Sequence, residues 1–177
     1  MEILFTEEQI QQRVGEMAAA ISQTYADKEV HLVGLLDNAF IFVADLVRRL
    51  TCPVSCSLVY VDIRDVVESG YERRLITHYP SLDVQGQDIL LVDCVLHTGV
   101  TQEHLIQQFL VKGAASIRTA TLIDKSSERR VPLEPEFVGF KVDGLVLVGY
   151  GMGAGRRYRN LPYIAKLAPK AAEGSRQ

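Results

Sequence analysis

The chain has 177 residues, 47% of them hydrophobic, enough to bury one core without disulfides or a metal and with no need of a second domain. A formal net charge of -3 gives no overall attraction to nucleic acid or to an anionic membrane, so any basic site must be local. No apolar run approaches the ~18 residues of a membrane-crossing helix, and the opening Met-Glu-Ile-Leu-Phe-Thr-Glu-Glu turns acidic too soon for a secretory leader. A cytoplasmic protein is expected.

Thr6 and Gln9 have the spacing of a capping box, and Ile10, Val14, Met17, Ala18 and Ile21 then recur with a helical period, which predicts an amphipathic helix to about Tyr25. Val30 to Leu36 is an apolar run too short for a helix and bounded by charge, hence a buried strand with Asp37-Asn38 as its turn. Phe40, Val43, Leu46 and Leu50 return to a helical face, with Arg48 and Arg49 near the C-terminus where cations suit the dipole. Cys52-Pro53 breaks that helix, and Val54 to Val61 is again strand-like. Asp62 to Tyr79 is charged, carries Ser69-Gly70 and shows no clean period, so an exposed flexible segment is expected, either a lid or a plain surface hairpin.

Ile89 to Val92 reads as a buried parallel strand that runs through Asp93 into a short loop, in which Thr98, Gly99 and Thr101 precede an amphipathic helix. Leu105, Ile106, Phe109 and Leu110 face one way on that helix, which ends near Gly113. N-H groups at a helix N-terminus carry partial positive charge, Gly99 would let a ligand approach the backbone, and two threonines offer hydroxyl donors, so a phosphate could be held here without a lysine. An ordinary strand, turn and capped helix has the same composition. Ile117 to Ile123 makes another strand, followed by Asp124-Lys125-Ser126-Ser127-Glu128-Arg129-Arg130, and Val146 to Tyr150 leads into Gly-Met-Gly-Ala-Gly. The expected organisation is one domain over 1–168 with a flexible tail, 169–177.

Strand and helix in alternation predict an α/β fold, a parallel sheet flanked by helices, with ligands at the carboxyl ends of the strands: after Leu36, after Val92 and after Ile123. Gly149, Gly151, Gly153 and Gly155 do not make a dinucleotide fingerprint, because Pro162 follows where a helix is required, and no Gly-Lys-Ser/Thr forms a Walker loop. Cys52, Cys56 and Cys94 form no paired Cys-x-x-Cys, and His31, His78, His97 and His104 show no ligand spacing with them, so reduced thiols are expected. Taken alone, Lys125 is a surface lysine, and Arg156, Arg157 and Arg159 are a solvated basic loop. His97 taken alone is a surface histidine and Cys94 a small buried thiol.

At Ile89 to Thr101 the chain resembles the type I phosphoribosyltransferases, and more widely their hypoxanthine (6-oxopurine) branch. The apolar strand, the first acid as Asp93, and Thr98-Gly99-Val100-Thr101 match the family signature; Cys94 stands where a second acid belongs, and His97 where the branch has its catalytic aspartate. Arg156 to Ile164 is similar to the branch's C-terminal motif, and Asp124-Lys125 matches its purine-binding lysine. The resemblance covers residues 2 to 167. It implies a parallel sheet with a small hood from the chain ends, and a 5-phosphate cradle at Val95, Leu96, His97, Thr98, Gly99 and Thr101. Asp93 would meet the ribose hydroxyls and the magnesium ion, and with His97 form the catalytic pair; Asn38 and Arg159 would meet the pyrophosphate; Lys125, Val146 and Leu147 would meet the purine. Five ligand-facing positions depart from the pattern: Asn38 replaces a glycine beside the acid Asp37, Cys94 an acid, His97 an aspartate, Val146 an aromatic, and Gly153 a magnesium-contacting aspartate.

The resemblance therefore implies transfer of 5-phosphoribose from magnesium-bound phosphoribosyl pyrophosphate (PRPP) to hypoxanthine or guanine, with reduced activity, in a homodimer or homotetramer. Two other readings stand beside it. One is a nucleotide- or PRPP-binding protein that has lost turnover and serves as a regulator or partner; purine monophosphates would be its ligands. The other is an RNA-binding attenuator like those of pyrimidine operons, which share the fold; the acidic chain and the purine-branch C-terminus weigh against it.

Overall fold

The computed structural model describes residues 1–68 and 71–167; Ser69-Gly70 and the expected tail lie outside them. A six-stranded sheet runs in the order β4-β3-β2-β5-β6-β7. Strands β2 (Val30–Leu36), β3 (Val54–Glu68), β5 (Asp88–Leu96), β6 (Ser116–Asp124) and β7 (Phe137–Lys141) pair in parallel, and β4 (Tyr71–Tyr79) closes one edge antiparallel to β3. The chain leaves β2 through α2 (Phe40–Val47) toward β3 and leaves β5 through α3 (Val100–Val111) toward β6, so the two crossovers diverge from the middle of the sheet. Divergence opens a crevice at the carboxyl ends of β2 and β5, which is where open α/β sheets hold ligands.

Helix α1 (Glu7–Thr24) starts as its sequence dictates. Thr6 Oγ1 accepts from Gln9 N at 3.3 Å and Gln9 Oε1 accepts from Thr6 N at 2.9 Å, and Ile10, Val14, Met17, Ala18 and Ile21 form the buried face. They meet Phe42, Val43 and Leu46 of α2 together with Leu90, Val92 and Cys94 of β5 in the larger core. A smaller core on the opposite side of the sheet joins Val33, Leu35, Ile89 and Leu91 to Leu105 and Phe109 of α3. At Gly34 an added Cβ would lie 2.6 Å from Val43 Cγ2, so the bare glycine lets α2 pack directly onto β2.

Several expectations are corrected. β5 continues past Asp93 to Leu96, so Val95 and Leu96 are strand and only His97 to Gly99 form the loop. A strand is held by backbone ladder bonds, and β6 supplies them as far as Asp124 opposite Leu96, so a polar side chain aimed off the sheet does not end it. Of the two readings of Asp62 to Tyr79, lid or surface hairpin, the hairpin holds, in register from Tyr60 opposite Tyr79 to Glu68 opposite Tyr71. Helix α2 ends at Val47, before Leu50, and its first residue Phe40 is 44% exposed, while Leu110 on α3 is 46% exposed. Beyond β7, Leu147–Val148 forms a short strand, β8.

β8 belongs to a second sheet, ordered β1-β9-β8, in which Glu2–Phe5 (β1) and Ile164–Lys166 (β9) pair antiparallel. This is the hood built from the chain ends. Tyr150 fixes it to the main body: its hydroxyl donates to Asp45 Oδ2 on α2 at 2.6 Å. Burial alone would raise the Asp45 carboxyl, but hydrogen bonds from Tyr150, Gln11 and Arg48 and the Arg49 charge outweigh it and hold it below the usual carboxylate range. Its contribution to stability is present above the unfolded carboxyl pKa of about 3.9 and is lost as pH falls through the lower folded value. Tyr150→Phe removes one donor to a buried charge and should cost roughly 1.5–3 kcal/mol in urea unfolding at pH 7, with a smaller difference at pH 3.

Candidate functional site

Three strand ends converge on the crevice. After β2, Asp37 and Asn38 form a turn reached through a cis Leu36-Asp37 peptide. Arg159 reaches this turn from the glycine-containing segment: Nη1 donates to Asn38 Oδ1 and to Gly151 O, both at 2.8 Å, and Nη2 lies 4.0 Å from Asp37 Oδ2. The sequence-predicted pair Asn38 and Arg159, 121 residues apart, is thus brought together, with the guanidinium already engaged by a side-chain carbonyl and an acid.

After β5, Gly99 takes a left-handed φ of 78° at the N-cap of α3, which carries no side-chain cap. The N-H groups of the first turn of α3 face this end of the strand with Thr98 and Thr101 beside them, an arrangement suited to an anion. The reason for the glycine is different from the expected one. A Cβ on Gly99 would lie 2.8 Å from Val131 Cγ2 and 3.0 Å from Arg129 Cδ, so its bare face receives protein packing rather than a ligand. Arg130 N also donates to Thr98 O at 2.9 Å, which ties the loop to the segment after β6.

Asp93 lies behind this loop, and its Oδ2 accepts from Gln102 Nε2 on α3. Burial pushes its carboxyl up to about 6, against the lowering effect of Gln102 and of the Cys94 and Val95 backbone N-H groups. Cys94 points the other way and is fully buried among the apolar residues of the larger core, so burial pushes its thiol up. It packs as a small hydrophobe and presents nothing to the crevice.

After β6, Lys125 turns its ammonium inward, with only 13% of the side chain exposed; Nζ donates to Leu145 O at 2.6 Å and lies 3.6 Å from Glu128 Oε1. The other oxygen of Glu128 meets His97 Nε2. Sequence reasoning missed Glu128, which sat inside a charged run, and also Arg129. The Arg129 guanidinium donates to Asp124 Oδ1, to His97 O and to Leu133 O. Val146 is 49% exposed beside the buried Leu147, so the two residues that the resemblance gives to the purine lie in sequence against Leu145, the acceptor of Lys125.

The chain matches the phosphoribosyl transferase domain family over residues 2–153. It belongs to that family. It is 34% identical to the hypoxanthine-guanine phosphoribosyltransferase of Bacillus subtilis (strain 168) over 173 residues, 97% of this chain and 95% of that protein. It is 36% identical to the protein of the same name from Aquifex aeolicus (strain VF5) over 170 residues, 93% of each chain. The crystal structure of a hypoxanthine-guanine phosphoribosyltransferase from Bacillus anthracis superposes with a TM-score of 0.83 at 28% identity, covering 95% of this chain and 98% of that one. The hypoxanthine branch of the type I phosphoribosyltransferases, named above from short motifs, is therefore supported along the whole length.

Phosphoribosyltransferases of this kind take PRPP with Mg2+, and the residues here do not fit a protein-held ion. Among the described residues no three His, Cys, Asp or Glu side chains converge as a metal site. Asp93 stands alone and bonded to Gln102, and a Cβ at Gly153 would lie 2.8 Å from Arg157 O and 3.0 Å from Arg159 Cγ. Magnesium is consequently treated as part of the PRPP substrate, since it commonly stays with substrate phosphates and water.

The raised Asp93 carboxyl carries a sign that can be measured. A group whose folded pKa exceeds its unfolded value stabilises the fold most below about pH 4 and loses that contribution as pH rises through about 6. Asp93→Asn should flatten this part of the curve: between pH 4 and 7, the wild type should lose about 2–3 kcal/mol of urea-unfolding stability relative to the variant.

Proposed function

We propose that this protein is a purine-salvage hypoxanthine/guanine phosphoribosyltransferase of the cytoplasm, transferring 5-phosphoribose from magnesium-bound PRPP to a 6-oxopurine, with slow turnover. The observation that carries this reading is the convergence at the sheet crevice of an uncapped helix N-terminus with Thr98 and Thr101, the buried Lys125 ammonium and Arg159. In this reading the first supports the 5-phosphate and Asp93 the ribose hydroxyls. Lys125 donates to the 6-oxo group, with Val146 and Leu147 against the ring, and Arg159 holds pyrophosphate. An ammonium is a donor only, so it favours a carbonyl over the exocyclic amine of adenine. We extend the unit to residues 1–168, and to a homodimer or homotetramer, a state consistent with the exposed Phe40, Leu58 and Tyr60. None of the described helices is long and apolar enough to cross a membrane.

Slow turnover follows from the pyrophosphate side. The negative Asp37 stands where a polyanion must bind, and Asn38 replaces the glycine that would let phosphate approach backbone N-H groups. A second reading, a nucleotide-binding protein without turnover, is favoured by the same two residues, because they leave the monophosphate half of the site untouched.

The deciding experiment is nucleotide formation from PRPP with hypoxanthine and with guanine. Product should appear slowly with both bases, and Asn38→Gly should raise the rate; no product with either base leaves the binding reading. Thr98→Val with Thr101→Val removes two hydroxyl donors to a charged group, each worth roughly 1.5–3 kcal/mol, so calorimetry should show inosine monophosphate binding at least tenfold weaker. Unchanged affinity would place the phosphate elsewhere. Lys125→Ala should erase the preference for inosine over adenosine monophosphate in the same titration.

A further inference from the structure

The residue that replaces the branch's aspartate does not stand alone. His97, at the carboxyl end of β5, has half of its side chain exposed to the crevice, and its Nε2 meets Glu128 Oε2 from the turn after β6. We propose that Glu128 and His97 form a carboxylate-imidazole dyad that accepts the proton leaving purine N7, with Glu128 as the positioning residue; the proposal rests on the phosphoribosyl-transfer reading above.

The geometry is prearranged from three sides. Arg129, whose side chain is 8% exposed, spans Asp124 Oδ1, the His97 carbonyl and the Leu133 carbonyl, so the turn carrying Glu128 is pinned to the backbone of the histidine it contacts. Arg130 N donates to Thr98 O at 2.9 Å, one residue beyond His97. The remaining oxygen, Glu128 Oε1, accepts from Gly144 N at 3.2 Å and lies 3.6 Å from Lys125 Nζ. One carboxylate thereby locates both groups assigned to the base: the imidazole for N7 and the ammonium for the 6-oxo group. The His97 hydrogen bond, first among its influences, holds the Glu128 carboxyl below its usual range, so it is ionised at neutral pH. The other charges near this contact are Asp124, Lys125, Arg129 and Arg130 on the segment after β6, and Asp143, which accepts from Ser127 N at 3.0 Å.

The contact assigns the imidazole proton to Nε2, donated to Glu128, and leaves the Nδ1 lone pair free. Purine N9 then supplies the electron pair for the new C1′-N9 bond as the C1′-O bond breaks, the pair of that bond departing with pyrophosphate. The N7 proton passes to Nδ1, and the resulting imidazolium is stabilised by the Glu128 carboxylate before it returns the proton to water. This is the logic by which a carboxylate orients an imidazole and stabilises its cation in acyl transfer, applied to a different proton.

The test compares wild type, Glu128→Gln, Glu128→Asp, His97→Asp and the Glu128→Gln/His97→Asp double variant in nucleotide formation from magnesium-PRPP and hypoxanthine across pH 5 to 9. Glu128→Gln should lower kcat at least about tenfold, part of the roughly 100- to 10,000-fold that a positioned acid or base supplies, with little change in KM for PRPP. Glu128→Asp should restore part of the rate, and in the His97→Asp background Glu128→Gln should lose far less kcat, its remaining effect falling on KM for hypoxanthine through Lys125. The His97 ring-nitrogen NMR signals of the intact chain at alkaline pH give a second readout: the Nε2-H tautomer, fixed by the contact with Glu128, should dominate in wild type and lose that dominance in Glu128→Gln. A wild type that forms nucleotide while Glu128→Gln keeps its kcat and its His97 tautomer overturns the dyad and leaves the transfer reading standing. A wild type that forms no nucleotide overturns the transfer reading, and the dyad's proton role with it.

Discussion

The buried guanidinium of Arg129 is the interaction on which the crevice depends. Its partner Asp124 is 1% exposed, and the second oxygen of that carboxylate, Oδ2, has no hydrogen-bond partner among the described residues. Desolvating both charges is costly, and a pair with one oxygen left unsatisfied is a poor source of stability. Its effect is geometric. Two of the three bonds from the guanidinium go to backbone carbonyls, those of His97 and Leu133, so the ends of β5 and β6 are locked at one distance. Once they are locked, Gly99 must be left-handed and bare beneath Arg129 and Val131, and Glu128 arrives at His97 without any search of its own.

Much of the fold was legible because burial has a period. The α1 face, the β2 run and the alternation of strand and helix all came from spacing, since each places one stripe or one face against the same core. The misreadings have a common cause, the use of apolarity as a proxy for backbone pairing. Asp93 was taken as the end of a strand because the apolar run ended there, yet β6 goes on pairing to Leu96. For Asp62 to Tyr79 the same proxy left a lid and a hairpin both open; the hairpin forms because β3 continues from the sheet and gives β4 an edge to add to. Strands β1, β7 and β9 carry too few residues to show any period, and β1 and β9 exist only through each other.

The site was legible by residue type and not by geometry. Asp93, His97, Lys125 and Arg159 could be singled out because their neighbours form recognisable motifs; Glu128 and Arg129 could not, since both sat in a charged run that ordinarily means a solvated face. The departures at Gly153 and Asn38 were visible as two separate changes, and the structure makes them one. Arg159 Cγ and Nε occupy the space a side chain on residue 153 would fill, and the same guanidinium is then close enough to bond Asn38. Both positions thus meet the same side chain, Arg159.

That shared contact bears on how a ligand would enter. Arg159 already has acceptors in Asn38 and Gly151, and Lys125 has one in Leu145 O with Glu128 close by. A phosphate or a purine carbonyl arriving at either cation exchanges one hydrogen bond for another instead of gaining one outright, and such exchanges leave only a modest net free energy. The threonine-flanked start of α3 is different, because no side chain caps its first N-H groups. An anion placed there replaces only water, and the helix dipole favours it. Binding energy in the proposed reaction is therefore weighted toward the 5-phosphate, which is common to PRPP and to the nucleotide product, and away from the pyrophosphate, which only the substrate carries. A site weighted this way would hold product nearly as firmly as substrate, and interactions shared by bound states add affinity without lowering the barrier between them.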